Sequence, residues 1–183
     1  MALRENNRFF VFTGGPGSGK SSLIEALHRL GYEHSVEAGR GIIRDQVDIG
    51  GQALPWADRG LFAELMLSWE MRSYRFAQEQ PGTALFDRGV PDVIGYLRLI
   101  GLPVPPYMIK AADEFRYNKY VFIAPPWKEI FHPDQERKQD FDEAMRTYES
   151  MARTYKEFGY ELVELPRVSI EDRVRFVLSN IRV

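Results

Sequence analysis

The feature that most constrains this sequence is a glycine-rich segment near its start. The residues Gly14-Gly15-Pro16-Gly17-Ser18-Gly19-Lys20-Ser21 match the pattern G-x-x-x-x-G-K-[ST] at every fixed position. The apolar run Phe9-Phe10-Val11-Phe12 precedes it, and apolar residues at helical spacing follow it from Ser22 to Leu30. A strand, a glycine-rich loop and a helix in this order predict a phosphate-binding loop, and therefore a site for a nucleoside triphosphate.

The residues of this loop have distinct expected roles. The glycines let backbone N–H groups turn inward toward phosphate oxygens, and the following helix adds the positive end of its dipole. Lys20 is expected to reach the β- and γ-phosphates, and the Ser21 hydroxyl to ligate the accompanying Mg²⁺. A glycine-rich turn that merely precedes a helix is the alternative. The predicted nucleotide-binding set is Gly14, Gly15, Pro16, Gly17, Ser18, Gly19, Lys20, Ser21 and Ser22.

Composition excludes several classes of function. The 183 residues are 44% hydrophobic and 27% charged, which predicts a single globular domain over 1–183. A net charge of −2 argues against a general nucleic-acid or membrane-surface binder. The absence of cysteine excludes disulfides, thiolate metal sites and cysteine nucleophiles. Because the first residues have no signal-type apolar stretch, we expect a cytoplasmic protein without membrane spans.

Strand candidates alternate with helical segments, which is typical of a parallel sheet covered by helices on both faces. After the first strand, further strands are predicted at 32–36, 83–86, 120–124 and 160–165. Long helices are predicted from about Trp56 to about Gln80 and at 140–158, and a last helix from Ser169 to about Ile181. The prolines in 102–106 predict a rigid loop between two helices.

The carboxyl ends of these strands supply the first candidate residues, because ligands of open parallel sheets bind there. Asp87 directly follows the third predicted strand. A carboxylate there can hold Mg²⁺ through water or accept a proton from a substrate hydroxyl, or it can merely cap a turn. Arg88 would face the transferring phosphate or the acceptor, or pair with Asp87 or Asp92 and hold the loop. We predict Asp87 as a catalytic and metal-binding residue, and Arg88 and Asp92 as substrate-binding residues.

A second group follows the second predicted strand. Arg40 and Arg44 are four residues apart and share one face of a helix, from which both can direct donors at an anionic acceptor. Glu37 could orient or deprotonate a hydroxyl, or complement the dipole of that helix. We predict Arg40 and Arg44 as substrate-binding residues and Glu37 as catalytic. Whether Glu37 or Asp87 is the base stays open.

A third group lies between the fourth strand and the next long helix. Two prolines open this segment, which we predict as a lid over about 125–140. A lid that closes on a nucleotide needs cations for the charge that develops on the transferred phosphate, and Arg137 and Lys138 could supply them. We predict Arg137 as catalytic. A solvated charged loop is the alternative.

These segments together resemble the small bacterial AAA-type P-loop ATPases that are related to nucleotide and nucleoside kinases, with the kinase domain that phosphorylates ribosylnicotinamide as a close comparison. The resemblance implies a three-layer P-loop NTPase fold, with a five-stranded parallel sheet flanked by helices and a lid. It also implies ATP, Mg²⁺ and a substrate cleft bounded by the helices between the second and third strands. It rests on the phosphate loop to Ser22, Glu37-Ala38-Gly39-Arg40, Leu85-Phe86-Asp87-Arg88-Gly89, 134–137, and the last strand and helix.

Two functions fit these residues. The first is an ATP-dependent kinase that transfers the γ-phosphate to a small nucleoside- or nucleotide-like acceptor. The second is a regulatory ATPase or nucleotide switch that acts on a protein partner. The two strand-end carboxylates and the basic lid segment favour the kinase. Neither the acceptor nor the choice between monomer and dimer follows from the sequence.

Overall fold

A computed structural model describes residues 5–132 and 140–181. Within them lie five strands, β1 (Phe9–Gly14), β2 (Glu33–His34), β3 (Ala84–Asp87), β4 (Tyr120–Ala124) and β5 (Glu161–Glu164). They form one parallel sheet in the order β2-β3-β1-β4-β5. The fold class predicted from the sequence is confirmed.

Helices cover both faces of the sheet because the side chains of β1 alternate between them. The helices are α1 (Lys20–His28), α2 (Ala38–Ile49), α3 (Arg59–Glu79), α4 (Val90–Leu99), α5 (Pro106–Glu114), α6 (Phe141–Glu157) and α7 (Ile170–Asn180). Phe9 and Val11 pack with α3, α4, α5 and α6 in one buried cluster, while Phe10 and Phe12 pack with α1 and α7 in another. A third cluster joins α2 to α3.

Most elements differ from their predicted bounds by one to three residues, such as β3, which includes Asp87, and two of these differences have a clear structural cause. The edge strand β2 is two residues long instead of the predicted 32–36, because it pairs only with β3, through Glu33 and His34. Helix α3 begins at Arg59 instead of about Trp56, because the Asp58 side chain caps it by accepting a hydrogen bond from the Leu61 N–H at 2.9 Å. The strand β4 and the loop between α4 and α5 lie where they were predicted.

The strand order creates a topological switch point at the carboxyl ends of the central strands. β1 lies between β3 and β4, so the loops that leave β1 and β3 emerge side by side at the carboxyl edge. A crevice at such a point is the usual ligand site of an open parallel sheet. No helix in the described part of the chain is long and apolar enough to cross a membrane.

The core contact between β1 and β4 yields a stability prediction. Phe122 is fully buried, and its ring lies 4.9 Å from that of Phe12. Phe122→Ala should lower the free energy of unfolding by about 3–5 kcal/mol, measured by urea denaturation, because it leaves a cavity in the sheet. The matched control is Tyr120→Ala on the same strand, whose side chain is 43% exposed. Equal losses in the two variants would contradict this packing.

Candidate active site

The phosphate loop joins β1 to α1 and is held in a tight conformation. Gly17 and Gly19 have φ values of +66° and +79°, in the left-handed region that side chains other than glycine rarely adopt. The Ser18 hydroxyl donates a hydrogen bond to the Gly15 carbonyl at 2.8 Å. A Cβ atom at Gly15 would lie 2.3 Å from the Ala144 carbonyl oxygen of α6. The glycines of the motif are thus required by both backbone conformation and close packing.

Lys20 is a buried cation at the mouth of this loop. Its side chain is 6% exposed, and its Nζ donates a hydrogen bond to the Gly15 carbonyl at 3.0 Å. Burial, together with the nearby Arg88, lowers the pKa of Lys20 to about 8. Within the described part of the chain Lys20 forms no ion pair, so its charge can serve phosphate oxygens.

Asp87 and Ser21 place two potential oxygen ligands for a metal ion beside Lys20. The Ser21 Oγ lies 3.4 Å from Asp87 Oδ2, and the other carboxylate oxygen of Asp87 is buried without a hydrogen-bond partner among the described residues. Burial raises the pKa of Asp87, while Lys20 opposes that shift. Such a donor pair could hold Mg²⁺, which prefers oxygen ligands and keeps water and phosphate oxygens in its shell. No group of three or more acidic, histidine or cysteine side chains in residues 5–132 and 140–181 could hold a metal without such additional ligands.

Arg88 connects the phosphate loop to the carboxylates around it. Its guanidinium Nη1 donates to the Gly14 carbonyl at 3.0 Å and to Asp92 Oδ1 at 3.2 Å, and its Nε lies 3.5 Å from a Glu37 carboxylate oxygen. Its φ of +77° is strained for a side chain with a Cβ. Burial opposes the charge, but Asp92 and Glu37 outweigh it and raise the pKa of Arg88. Arg88 is therefore a fixed cation between the loop and Glu37.

Asp92 is the buried centre of this network. Its carboxylate accepts hydrogen bonds from the Thr13 hydroxyl, the Gly89 N–H and the Tyr155 hydroxyl, in addition to the bond from Arg88. The residue is 5% exposed. These four donors occupy the carboxylate, so its geometry favours an anchoring role. Substrate binding by Asp92 stays a prediction.

A cavity of about 270 Å³ opens beside the phosphate loop between α2, α3, α4 and α6. Glu70 lines this cavity and is 3% exposed. Burial, followed by the repulsion of Asp92, raises the pKa of Glu70 well above its usual value. A larger groove of about 670 Å³ lies along β2 and contains no phosphate-loop residue. The smaller cavity is therefore the candidate site for a second small molecule beside the phosphate loop. Its lining includes Pro16, Glu37, Trp56, Arg59, Phe62, Met66, Glu70, Arg88, Asp92, Tyr96 and Met151.

The predicted arginines take different positions around this cavity. Arg40 Nε lies 3.3 Å from Glu37 Oε2 and its side chain is 51% exposed, whereas Arg44 is 71% exposed and pairs with Asp45. Neither arginine lines the cavity. Arg59, at the start of α3, lines the cavity although it was not among the predicted residues. Arg137 and Lys138 lie outside the described residues, as does 133–139 of the predicted lid.

The beginning of the predicted lid segment rests on the phosphate loop. The Phe131 ring packs against Gly17 so closely that a Cβ atom there would lie 2.6 Å from the ring. Its centroid lies 5.5 Å from that of Phe141, the first residue of α6. The Phe131 ring therefore covers the phosphate loop at Gly17, and Phe141 packs against that ring.

Solved structures share this fold at low sequence identity. The deoxyadenosine kinase from M. mycoides with bound dATP superposes with a TM-score of 0.65 at 12% identity, over 96% of this chain and 100% of that chain. The NadR protein in complex with NR gives a TM-score of 0.75 at 18% identity over 96% of this chain, which spans 50% of the NadR chain. The thymidylate kinase from Ehrlichia chaffeensis gives 0.62 at 16% identity, over 97% of this chain and 100% of that chain.

At these identities the structural similarity shows a kinase-like P-loop fold and no more. No curated protein matches the chain in sequence. A family model does match: the AAA domain model covers residues 9–173, from the first strand to the last helix. The resemblance noted in the sequence is confirmed, and the chain belongs to the AAA domain family AAA_28.

Proposed function

We propose that this protein is an ATP-dependent kinase that transfers the γ-phosphate to a small nucleoside- or nucleotide-like acceptor. The observation that carries the proposal is the cavity of about 270 Å³ that meets the phosphate loop at Pro16 and is also lined by Glu37 and Arg88. A protein that only hydrolyses ATP needs no second small-molecule site there. A kinase must hold its acceptor hydroxyl against the terminal phosphate and exclude water.

The buried residues divide the chemical work between the two sides of this junction. The loop N–H groups and Lys20 bind the triphosphate, and Ser21 and Asp87 would hold Mg²⁺. Bound Mg²⁺ would neutralise charge on the β- and γ-phosphates. On the acceptor side, Glu37 orients the hydroxyl and accepts its proton, while Arg88 holds Glu37 in place. We assign the base to Glu37 because Asp87 faces Ser21 and Lys20 instead.

The cavity walls favour a planar acceptor. Trp56, Phe62 and Tyr96 provide aromatic surface, and Arg59, Glu70 and Glu37 provide polar groups. Three kinase-fold structures support the same substrate class, since one is a deoxyadenosine kinase, one is a thymidylate kinase and one holds NR. We therefore propose a nucleoside, a nucleoside monophosphate or a related ribosyl compound as acceptor.

An acceptor panel separates the kinase from a regulatory ATPase. The protein is incubated with Mg-ATP and single nucleosides, nucleoside monophosphates or ribosyl compounds, while ADP release and product mass are followed. We expect at least one compound to gain a phosphate and to accelerate ADP release, because water is a poor substitute in a closed site. Glu37→Gln should lower kcat for that compound roughly 100-fold or more while the Kd of ATP stays unchanged, as expected for a lost general base.

Slow ATP hydrolysis that no small compound accelerates would contradict the kinase and favour the regulatory ATPase. A normal kcat in Glu37→Gln together with a collapse in Asp87→Asn would move the base to Asp87. Circular dichroism of each variant controls for folding.

The lowered pKa of Lys20 predicts how nucleotide binding depends on pH. Below the free-state pKa of about 8, Lys20 is already charged, so binding takes up no proton. Above it, phosphate oxygens must draw a proton onto Lys20, and ATP affinity should fall by up to about tenfold per pH unit. Calorimetry in buffers of different ionisation enthalpy measures this proton uptake. In Lys20→Arg, whose arginine side chain does not titrate in this range, proton uptake on ATP binding should not rise with pH. A wild type whose proton uptake stays constant across the same pH range would exclude the mechanism.

A matched pair of arginine variants locates the cation on the acceptor side. Arg59 lines the cavity, whereas Arg44 is exposed on α2. Arg59→Ala should raise the KM of the phosphorylated acceptor roughly tenfold without changing the KM of ATP, because one charge-assisted contact is lost. Arg44→Ala should behave like the wild type. The reverse result would restore Arg44 to the acceptor site in place of Arg59.

A further inference from the structure

Arg173, in α7, is a buried arginine that reaches the phosphate loop from the opposite face of the sheet to the acceptor cavity. It is 1% exposed. Its Nη1 donates a hydrogen bond to the Ser18 carbonyl at 2.8 Å, and its Nε donates to the Pro166 carbonyl at 2.7 Å. One guanidinium therefore ties the phosphate loop to the segment that follows β5.

The surroundings of Arg173 fix its position. The ring of Trp127 lies 4.9 Å from the guanidinium carbon, at a distance typical of cation–π contact. A Cβ atom at Gly19 would lie 3.0 Å from Nη1, closer than such atoms normally approach. The left-handed backbone thus favours glycine at position 19, and the missing side chain also leaves room for the approach of Arg173. Arg173, which lies outside the G-x-x-x-x-G-K-[ST] pattern, thus contacts the loop directly at Ser18 and Gly19.

The charge of Arg173 has no counter-ion in the protein as described. Arg173 forms no ion pair with a residue of 5–132 or 140–181, and its Nη2 is buried without a hydrogen-bond partner among them. Burial, with a smaller effect of Arg167, lowers the pKa of Arg173. A buried, unpaired cation costs free energy. A polyphosphate seated in the adjoining loop would supply the missing negative charge.

The hydrogen bond from Arg173 to the Ser18 carbonyl also constrains the direction of the Gly19 N–H. In a trans peptide the C=O and the N–H of the same unit point to opposite sides. When Arg173 holds the Ser18 carbonyl on the α7 side, the Gly19 N–H must point away from Arg173. Phosphate-binding loops act through backbone N–H groups whose direction is fixed in this way.

We infer that Arg173 is a positioning residue of the phosphate loop, which orients the Gly19 N–H and balances the charge of a bound nucleoside polyphosphate. The inference rests on the proposed binding of ATP at this loop, but not on any acceptor. Arg173 touches the loop and not the reacting atoms. The competing role is a purely structural joint between α7 and the loop.

Titration of Mg-ATP into the folded protein distinguishes these roles. Arg173→Met should weaken ATP binding roughly 10- to 100-fold, as expected when a charge-assisted hydrogen bond is lost. Arg173→Lys keeps the charge but reaches only one of the two carbonyls, so it should recover part of the affinity. Arg175→Gln is the matched control, because Arg175 is 73% exposed on the same helix and should bind ATP like the wild type.

The amide signal of Gly19 in ¹⁵N NMR spectra provides a readout that stability alone does not move. It should shift on addition of ATP in the wild type and respond much less in Arg173→Met at temperatures where both are folded. An unchanged Kd in Arg173→Met, with a lowered Tm as its only defect, would overturn the inference in favour of the structural joint. If the wild type binds ATP but phosphorylates no acceptor, the proposed kinase activity is wrong, while a loss of ATP affinity in Arg173→Met still supports the positioning role of Arg173. A wild type that binds no nucleotide would overturn both.

Discussion

Asp92 accepts hydrogen bonds from the end of β1 through Thr13, from the turn after β3 through Gly89, and from α6 through Tyr155. Its fourth donor, Arg88, extends the network to the Gly14 carbonyl and to Glu37. A single buried carboxylate therefore fixes the phosphate loop, the third strand end and the start of α2 relative to one another. Because hydrogen bonds offset the free-energy cost of burying a charge, loss of any one donor would weaken this network.

This network explains why the positive φ of Arg88 is retained. The strained backbone costs free energy, yet it lets one guanidinium reach both the loop carbonyl and two carboxylates. A guanidinium with these three contacts is poorly placed to swing toward a substrate. In our account it acts through Glu37, whose carboxylate it holds at the junction between the phosphate loop and the cavity.

Local patterns predicted the parts of this protein that local forces determine. The buried run at β1, the glycine loop and Asp87 at the end of β3 are each specified by consecutive residues, and the structure has them in those places. The bounds of β2 and α3 were less predictable, because one depends on edge pairing and the other on the Asp58 cap. Arg173 was not predicted, although its spacing from the buried Val177 put an arginine on the inner face of α7. Its partner Ser18 is distant in the chain, as Glu70 and Arg59 are from the loop, and such contacts leave no local pattern.

The most direct test of the central claim is a crystal structure with Mg²⁺, AMP-PNP and the acceptor identified by the panel. The account predicts that the terminal phosphate lies beside Lys20 and faces the cavity between α2, α3, α4 and α6. The acceptor should fill that cavity, with its hydroxyl within hydrogen-bond distance of Glu37 and in line with the γ-phosphorus. A nucleotide whose terminal phosphate points away from the cavity, or an acceptor bound elsewhere, would contradict it.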